Sequence, residues 1–188
     1  QNGNYGPPTG FCFDWFCNDA PMIDDPNMID FNIPQRVQEF LNQISYQAAF
    51  TLGNELMITM GSDFQYENAR EWFENTDKLI KAVNADGRIN IFYSTPSQYV
   101  KAKNGEGLTF SVKTDDFFPY SDDDHAYWTG YFTSRPALKR YVRTSSALLQ
   151  AARHLEVFGL GDGSGTMQFS KALGVAQHHD AVSGTAKQ

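Results

Sequence analysis

The sequence predicts an α/β fold: a largely parallel sheet with crossover helices, followed by antiparallel helices that open a helical bundle. Two observations predict it. Between residues 34 and 113 the apolar pattern alternates between helical and strand-like spacing, giving helix, strand, helix, strand, helix, strand. Beyond residue 134 only the helical period remains. Between these regions lies a long segment, 114–132, dense in aromatic and acidic residues.

Residues 1–33 are irregular and rich in Pro, Asn and Asp, as expected of a long surface loop pinned by its cysteines. Val37, Phe40, Leu41, Ile44 and Ala48 then recur at helical spacing to about residue 50. "ELMITMG" reads as a buried strand closed by Gly61. Ala69, Trp72, Phe73, Leu79, Ile80 and Val83 mark a second helix, stopped by Asp86-Gly87. "RINIFYS" is another strand of the same kind. Thr95 and Pro96 open a short helix as N-cap and first helical residue. "LTFSVK" alternates through Leu108, Phe110 and Val112, a strand with one exposed face. Such connections are right-handed, and function collects in the loops after the strands. Two stretches fall there, residues 61–66 and 114–132. Ser134 as cap and Pro136 start a long amphipathic helix to about residue 158. "GLGDGSG" reads as a flexible linker. Met167, Phe169, Ala172, Leu173, Val175 and Ala176 form a last helix that runs straight into His178, His179 and Asp180.

The chain has 188 residues, enough to bury a core, and its 41% hydrophobic content is that of a globular protein. A formal net charge of −7 argues against a nucleic-acid binder, which needs a basic patch. No apolar run approaches the length of a membrane span, and there is no signal-peptide pattern. The opening "QNGNYGPPTG" has loop composition and no start methionine, so the expectation is a piece of a longer protein. Cys12 and Cys17 can close a small disulfide loop, which would place the protein on the secretory route; two buried free thiols are the alternative. No Asn-x-Ser/Thr acceptor occurs.

Three groups could carry chemistry. His178, His179 and Asp180 can bind metal or move protons where a helix gives way to a Ser-Gly-Thr turn; a solvated helix end is the alternative. Asp63, beside Phe64 at a strand end, suits a general acid whose pKa is raised by desolvation; an Asx-turn or the N-cap of the next helix fits the local pattern as well. The acidic run Asp115, Asp116, Asp122, Asp123 and Asp124 lacks the Gly and terminal Glu of a calcium loop and reads as mostly solvated. The aromatics interleaved with it suggest a wall around a pocket, suited to stacking on sugars, with Trp128 facing ligand and core packing as the alternative for most others. "GLGDGSG" lacks the Lys-Ser/Thr of a phosphate loop, and no Ser-His-Asp elbow is present.

Taken together, "MGSDFQY", "YSTP", "DDFFPYSDDDHAYWTGYFTSRPALKRY" and "QHHDAVSGT" resemble glycoside hydrolase family 38, the retaining α-mannosidases, in that family's order and over nearly the whole chain. Ser62, where the Golgi members typically carry an acidic residue, resembles the lysosomal or vacuolar branch, as does the tight Cys12/Cys17 loop. The resemblance implies a barrel-like catalytic domain ending in residues 1–125 and the start of a three-helix bundle in 126–188. It implies zinc-dependent, exo-acting hydrolysis of terminal α-mannose from N-glycan-type oligosaccharides in a lysosome or vacuole. Asp63 would be the general acid/base and His179 a zinc ligand. Asp180 and Asp122 would contact substrate, with Trp128 a wall of the mannose pocket. His178 receives no role beyond support. The family's nucleophile and its other zinc ligands, one His and two Asp, lie upstream. The chain is therefore expected to be one of several peptides of a precursor, in an assembly that includes further copies, and inactive alone. Two rivals remain: a sugar-binding module without turnover, and a zinc hydrolase of another substrate, for which His125 and His154 are poor further ligands.

Overall fold

A computed structural model describes residues 5–159 and 161–187. They form two compact units, Gln1–Val112 and Lys113–Gln188.

The first unit is built on α1 (Ile33–Ala48), α2 (Ala69–Asp86) and α3 (Pro96–Gly105). The apolar stripe of α1, Val37, Phe40, Leu41 and Ile44, packs with Trp72, Leu79 and Val83 of α2. Gly87 ends α2 in the left-handed conformation (φ 82°) and returns its N–H to Val83 O, as glycine does at helix ends. At α3, Thr95 accepts from Gln98 N, and the Gln98 side chain accepts from Thr95 N, a reciprocal cap.

The first thirty residues do more than cross the surface. Phe11, Phe13 and Met22 are buried in the same core. Phe11 meets Phe40 edge-on at 5.2 Å, and the Arg36 guanidinium lies 4.1 Å from the Phe11 ring centre. Cys12 and Cys17 are joined as a disulfide. An irregular segment has no period, so its buried side chains escape a periodicity reading.

The expected parallel sheet does not form among the described residues. Residues 55–61, 88–94 and 108–113 lack strand pairing. Leu56, Ile58, Met60, Ile89 and Ile91 nonetheless pack on the core, so the alternation sets an inward face. Alternation fixes the direction of side chains, whereas a ladder needs another backbone about 4.8 Å away.

The second unit begins with a two-stranded antiparallel hairpin, β1 (Ser121–Asp123) and β2 (Ala126–Tyr127), turned at His125 (φ 60°). A 3-10 turn (Thr129–Phe132) leads to α4 (Pro136–Phe158), and α5 (Ser164–Ala176) packs on α4. The residue before α4 is Arg135, in the left-handed region, and Ser134 does not cap the helix. The Ser134 hydroxyl donates back to Gly130 O at 3.0 Å. The expected flexible linker is tied down where it is described: Glu156 accepts from Gly165 N at 2.9 Å and from the Thr166 hydroxyl at 2.7 Å. A carboxylate at a helix N-terminus answers both the free N–H groups and the helix dipole.

Candidate active site

Asp63 sits in a tight turn after the extended run 55–61. Phe64 (φ 62°) and Tyr66 (φ 70°) both take left-handed conformations, a strained arrangement for side chains bearing a Cβ. Tyr66 holds the turn. Its ring stacks on Trp72 at 4.6 Å, its N–H donates to Asp14 at 3.2 Å, and its hydroxyl donates to Met60 O at 2.5 Å. A Cβ on Gly61 would come within 2.8 Å of the Tyr66 ring, so this approach requires glycine.

The turn presents Asp63 to solvent, with Phe64 84% exposed. The desolvated setting expected for Asp63 is therefore not supplied by the first unit. Nor does Asp63 cap a helix, since α2 starts at Ala69 with Asn68 before it. The Tyr5 hydroxyl donates to the Asp63 carboxylate, a partner that the sequence reading missed. That hydrogen bond raises the Tyr5 pKa above the ordinary tyrosine value. Tyr5 and Asp63 are 58 residues apart, and no local spacing signals the pairing.

The other candidates lie in the second unit. Trp128 Nε1 donates to Asp122 Oδ1 at 2.6 Å across the hairpin, and Trp128 N donates to Tyr120 O at 2.9 Å. Tyr120 meets Trp128 edge-on at 6.1 Å, and Tyr131 stacks on Phe132 at 4.5 Å. All of these rings are exposed rather than core. The remaining acids serve local roles: Asp115 pairs with Lys113 at 2.7 Å, Asp116 accepts from Phe118 N, and Asp123 accepts from Asp124 N. His125 turns the hairpin and His154 lies within α4.

Beyond α5 the chain coils through a turn: His178 N donates to Val175 O at 3.1 Å and Ala181 N to His178 O at 2.9 Å. His178 Nε2 lies 3.1 Å from Asp180 Oδ2, and His179 Nε2 lies 4.0 Å from the same oxygen. The donor atoms of His178, His179 and Asp180 lie within 4.8 Å of one another at an open surface. Two imidazoles and a carboxylate suit zinc, whose tetrahedral ligands stand about 3.4 Å apart. The donor types suit such an ion, while their spacing of up to 4.8 Å is looser than a closed site, and His178 lies nearer Asp180 than His179 does. Asp180 also accepts from the Thr185 hydroxyl at 2.7 Å. That bond first, then His178 and the charge of both imidazoles, holds its pKa below the ordinary carboxylate value.

The first unit thus carries an exposed carboxylate on a strained turn, and the second carries exposed aromatic rings and a histidine-carboxylate group. Residues 2–123 match the profile described as glycosyl hydrolases family 38 N-terminal domain, and residues 126–188 match the alpha mannosidase middle domain. The chain belongs to glycosyl hydrolase family 38. It is 54% identical to a probable alpha-mannosidase of Arabidopsis thaliana, with 98% of this chain and 18% of that protein aligned. It is 49% identical to the lysosomal alpha-mannosidase of Cavia porcellus (98% and 20%) and 49% to the alpha-mannosidase of Canavalia ensiformis (99% and 19%). The chain thus spans about a fifth of the length of these curated relatives.

Proposed function

We propose that this chain is part of a zinc-dependent retaining α-mannosidase of the lysosomal or vacuolar branch, which removes terminal non-reducing α-mannose from N-glycan-type oligosaccharides. The observation that carries the reading is near-half identity over 98% of the chain to proteins named as α-mannosidases. Residues 1–125 form the later part of the catalytic domain. Their extended segments complete a parallel, barrel-like sheet with strands outside this chain. Residues 126–188 open a three-helix bundle. The whole protein is a homo-oligomer assembled from peptides of one precursor, and the disulfide suits its oxidising route.

Asp63 gives its proton to the glycosidic oxygen as the C1–O bond breaks and a carboxylate outside this chain bonds to C1. Asp63 then takes a proton from the water that attacks C1, the bond from C1 to that carboxylate breaks, and mannose is released. Tyr5 holds the Asp63 carboxylate by its hydroxyl. Asp122 and Asp180 accept from sugar hydroxyls, and the Trp128 ring stacks on the sugar's apolar face. His179 is the ligand this chain contributes to zinc, with His178 and Asp180 beside it. When bound, zinc supplies an orienting Lewis acid that favours a distorted sugar ring.

The test is hydrolysis of a chromogenic α-mannoside at mildly acidic pH by the whole protein, by its Asp63→Asn variant, and by the protein after chelation. Asp63→Asn lowers turnover by about 10²–10⁴-fold, the range of a positioned acid/base. Chelation abolishes activity and added zinc restores it. A protein that binds mannosides on its aromatic surface without turnover, and without regard to Asp63, would instead be a carbohydrate-binding module of the same ancestry.

A further inference from the structure

We propose that Lys139 and Arg135 are positioning residues that clamp the loop carrying His178, His179 and Asp180 against the aromatic segment, and thereby set the metal affinity of that group. The inference rests on the functional reading above.

The carbonyls at stake directly follow Asp180. Arg135 Nη1 donates to Ala181 O at 2.8 Å. One turn along α4, the Lys139 ammonium donates to Val182 O, to Ser134 O, and to Tyr131 O at 2.9 Å. An ammonium has three protons, and here all three end on main-chain carbonyls. Among the described residues neither cation forms an ion pair with a carboxylate. Lys139 thus ties the 3-10 turn after Trp128 to the loop after Asp180 with one group.

Two further features fit a clamp. Arg135 takes a left-handed conformation (φ 49°), unfavourable for a residue with a Cβ, and it stands where the chain enters α4. Gly184 (φ 80°) lets the loop close on Ser134; a Cβ there would stand 3.2 Å from Ser134 Cβ. Residues 178–187 otherwise bond within the loop or back to the end of α5. Among the described hydrogen bonds, those from Arg135 and Lys139 alone anchor the loop to parts of its unit other than α5. Ligands on a loop so anchored are held near their bound arrangement before the ion arrives, and outer groups that orient ligands are typically worth about 10–100-fold in affinity.

The test uses the whole protein with Lys139→Met, which keeps an apolar stem of similar reach, Lys139→Arg, and Arg135→Gln. Zinc affinity is read by chelator competition, kcat and KM at limiting and saturating zinc, and Tm with zinc in excess. Lys139→Met should bind zinc at least about tenfold more weakly, lose turnover at limiting zinc and recover most of it in excess. Lys139→Arg, which can still donate to carbonyls, should keep most of the affinity. Arg135→Gln should weaken binding in the same direction and stands in if Lys139→Met does not fold. Wild-type zinc affinity in folded Lys139→Met or Arg135→Gln overturns the clamp, as does a turnover loss unmoved by added zinc. A wild-type protein that neither binds zinc nor turns over mannosides overturns the functional reading and the clamp with it.

Discussion

Asp14 should be the costliest single polar residue to remove from the first unit. It is 7% exposed, and its oxygens accept from Trp72 Nε1 at 2.7 Å, Tyr66 N at 3.2 Å and Trp15 N at 3.0 Å. Trp72 is fully buried, so Asp14→Ala leaves its indole N–H without a partner and out of reach of water. Such an orphan costs about 1–3 kcal/mol, and losing the Tyr66 bond adds about 1 kcal/mol. The expected loss is therefore about 3 kcal/mol. Asp14→Asn keeps an acceptor oxygen for Trp72 and should lose only about 1 kcal/mol. Urea unfolding followed by tryptophan fluorescence measures both. The same substitution frees Tyr66, which holds the turn bearing Asp63, so mannoside turnover should fall in protein that is still folded. An Asp14→Ala variant within about 0.5 kcal/mol of the parent would refute the reasoning, because an orphaned indole in this core cannot be that cheap.

Trp128→Phe keeps a ring but removes the donor to Asp122; KM for an α-mannoside should rise about fivefold, the equivalent of roughly 1 kcal/mol, with kcat changed less. An unchanged KM would remove the Trp128–Asp122 pair from the sugar site. Replacing Cys12 and Cys17 together by Ser opens a loop whose ends are 5 residues apart, and should cost about 2 kcal/mol by loop entropy, read as a lower unfolding midpoint. Glu106 is held below its ordinary value of 4.5, first by the Asn54 N–H and then by Lys103. Its depressed pKa makes its contribution complete above about pH 4.5 and lost as pH falls below that. Glu106→Gln should flatten the acid limb of a stability-against-pH curve in that window, and an unchanged limb would refute the assignment.

The helices were legible in sequence because their information is local. The stripe Val37, Phe40, Leu41 and Ile44, the Gly87 stop and the Thr95-Pro96 start each lie within a few residues of the element they specify. Ser134 shows the limit of such signals. Its hydroxyl bonds back to Gly130, while Arg135 takes the residue position before α4. The three β-rich runs had the composition and alternation of strands; those at 55–61 and 88–94 pack an inward face on the core, whereas Phe110 and Val112 of the third are exposed. Pairing depends on a second backbone, which no alternation encodes.

Sequence by itself determined the family, through ordered motifs, and with it the candidate residues Asp63, Asp122, Trp128, His179 and Asp180. Tertiary structure alone decided what surrounds them. Tyr5 reaches Asp63 across 58 residues, Asp14 reaches Trp72 across 58, and Lys139 reaches Val182 across 43. Among the described residues Asp63 is exposed. The physical reason is range: a periodic stripe or a cap is specified within one or two turns of chain, whereas burial and long-range hydrogen bonds exist only once distant segments have been folded together.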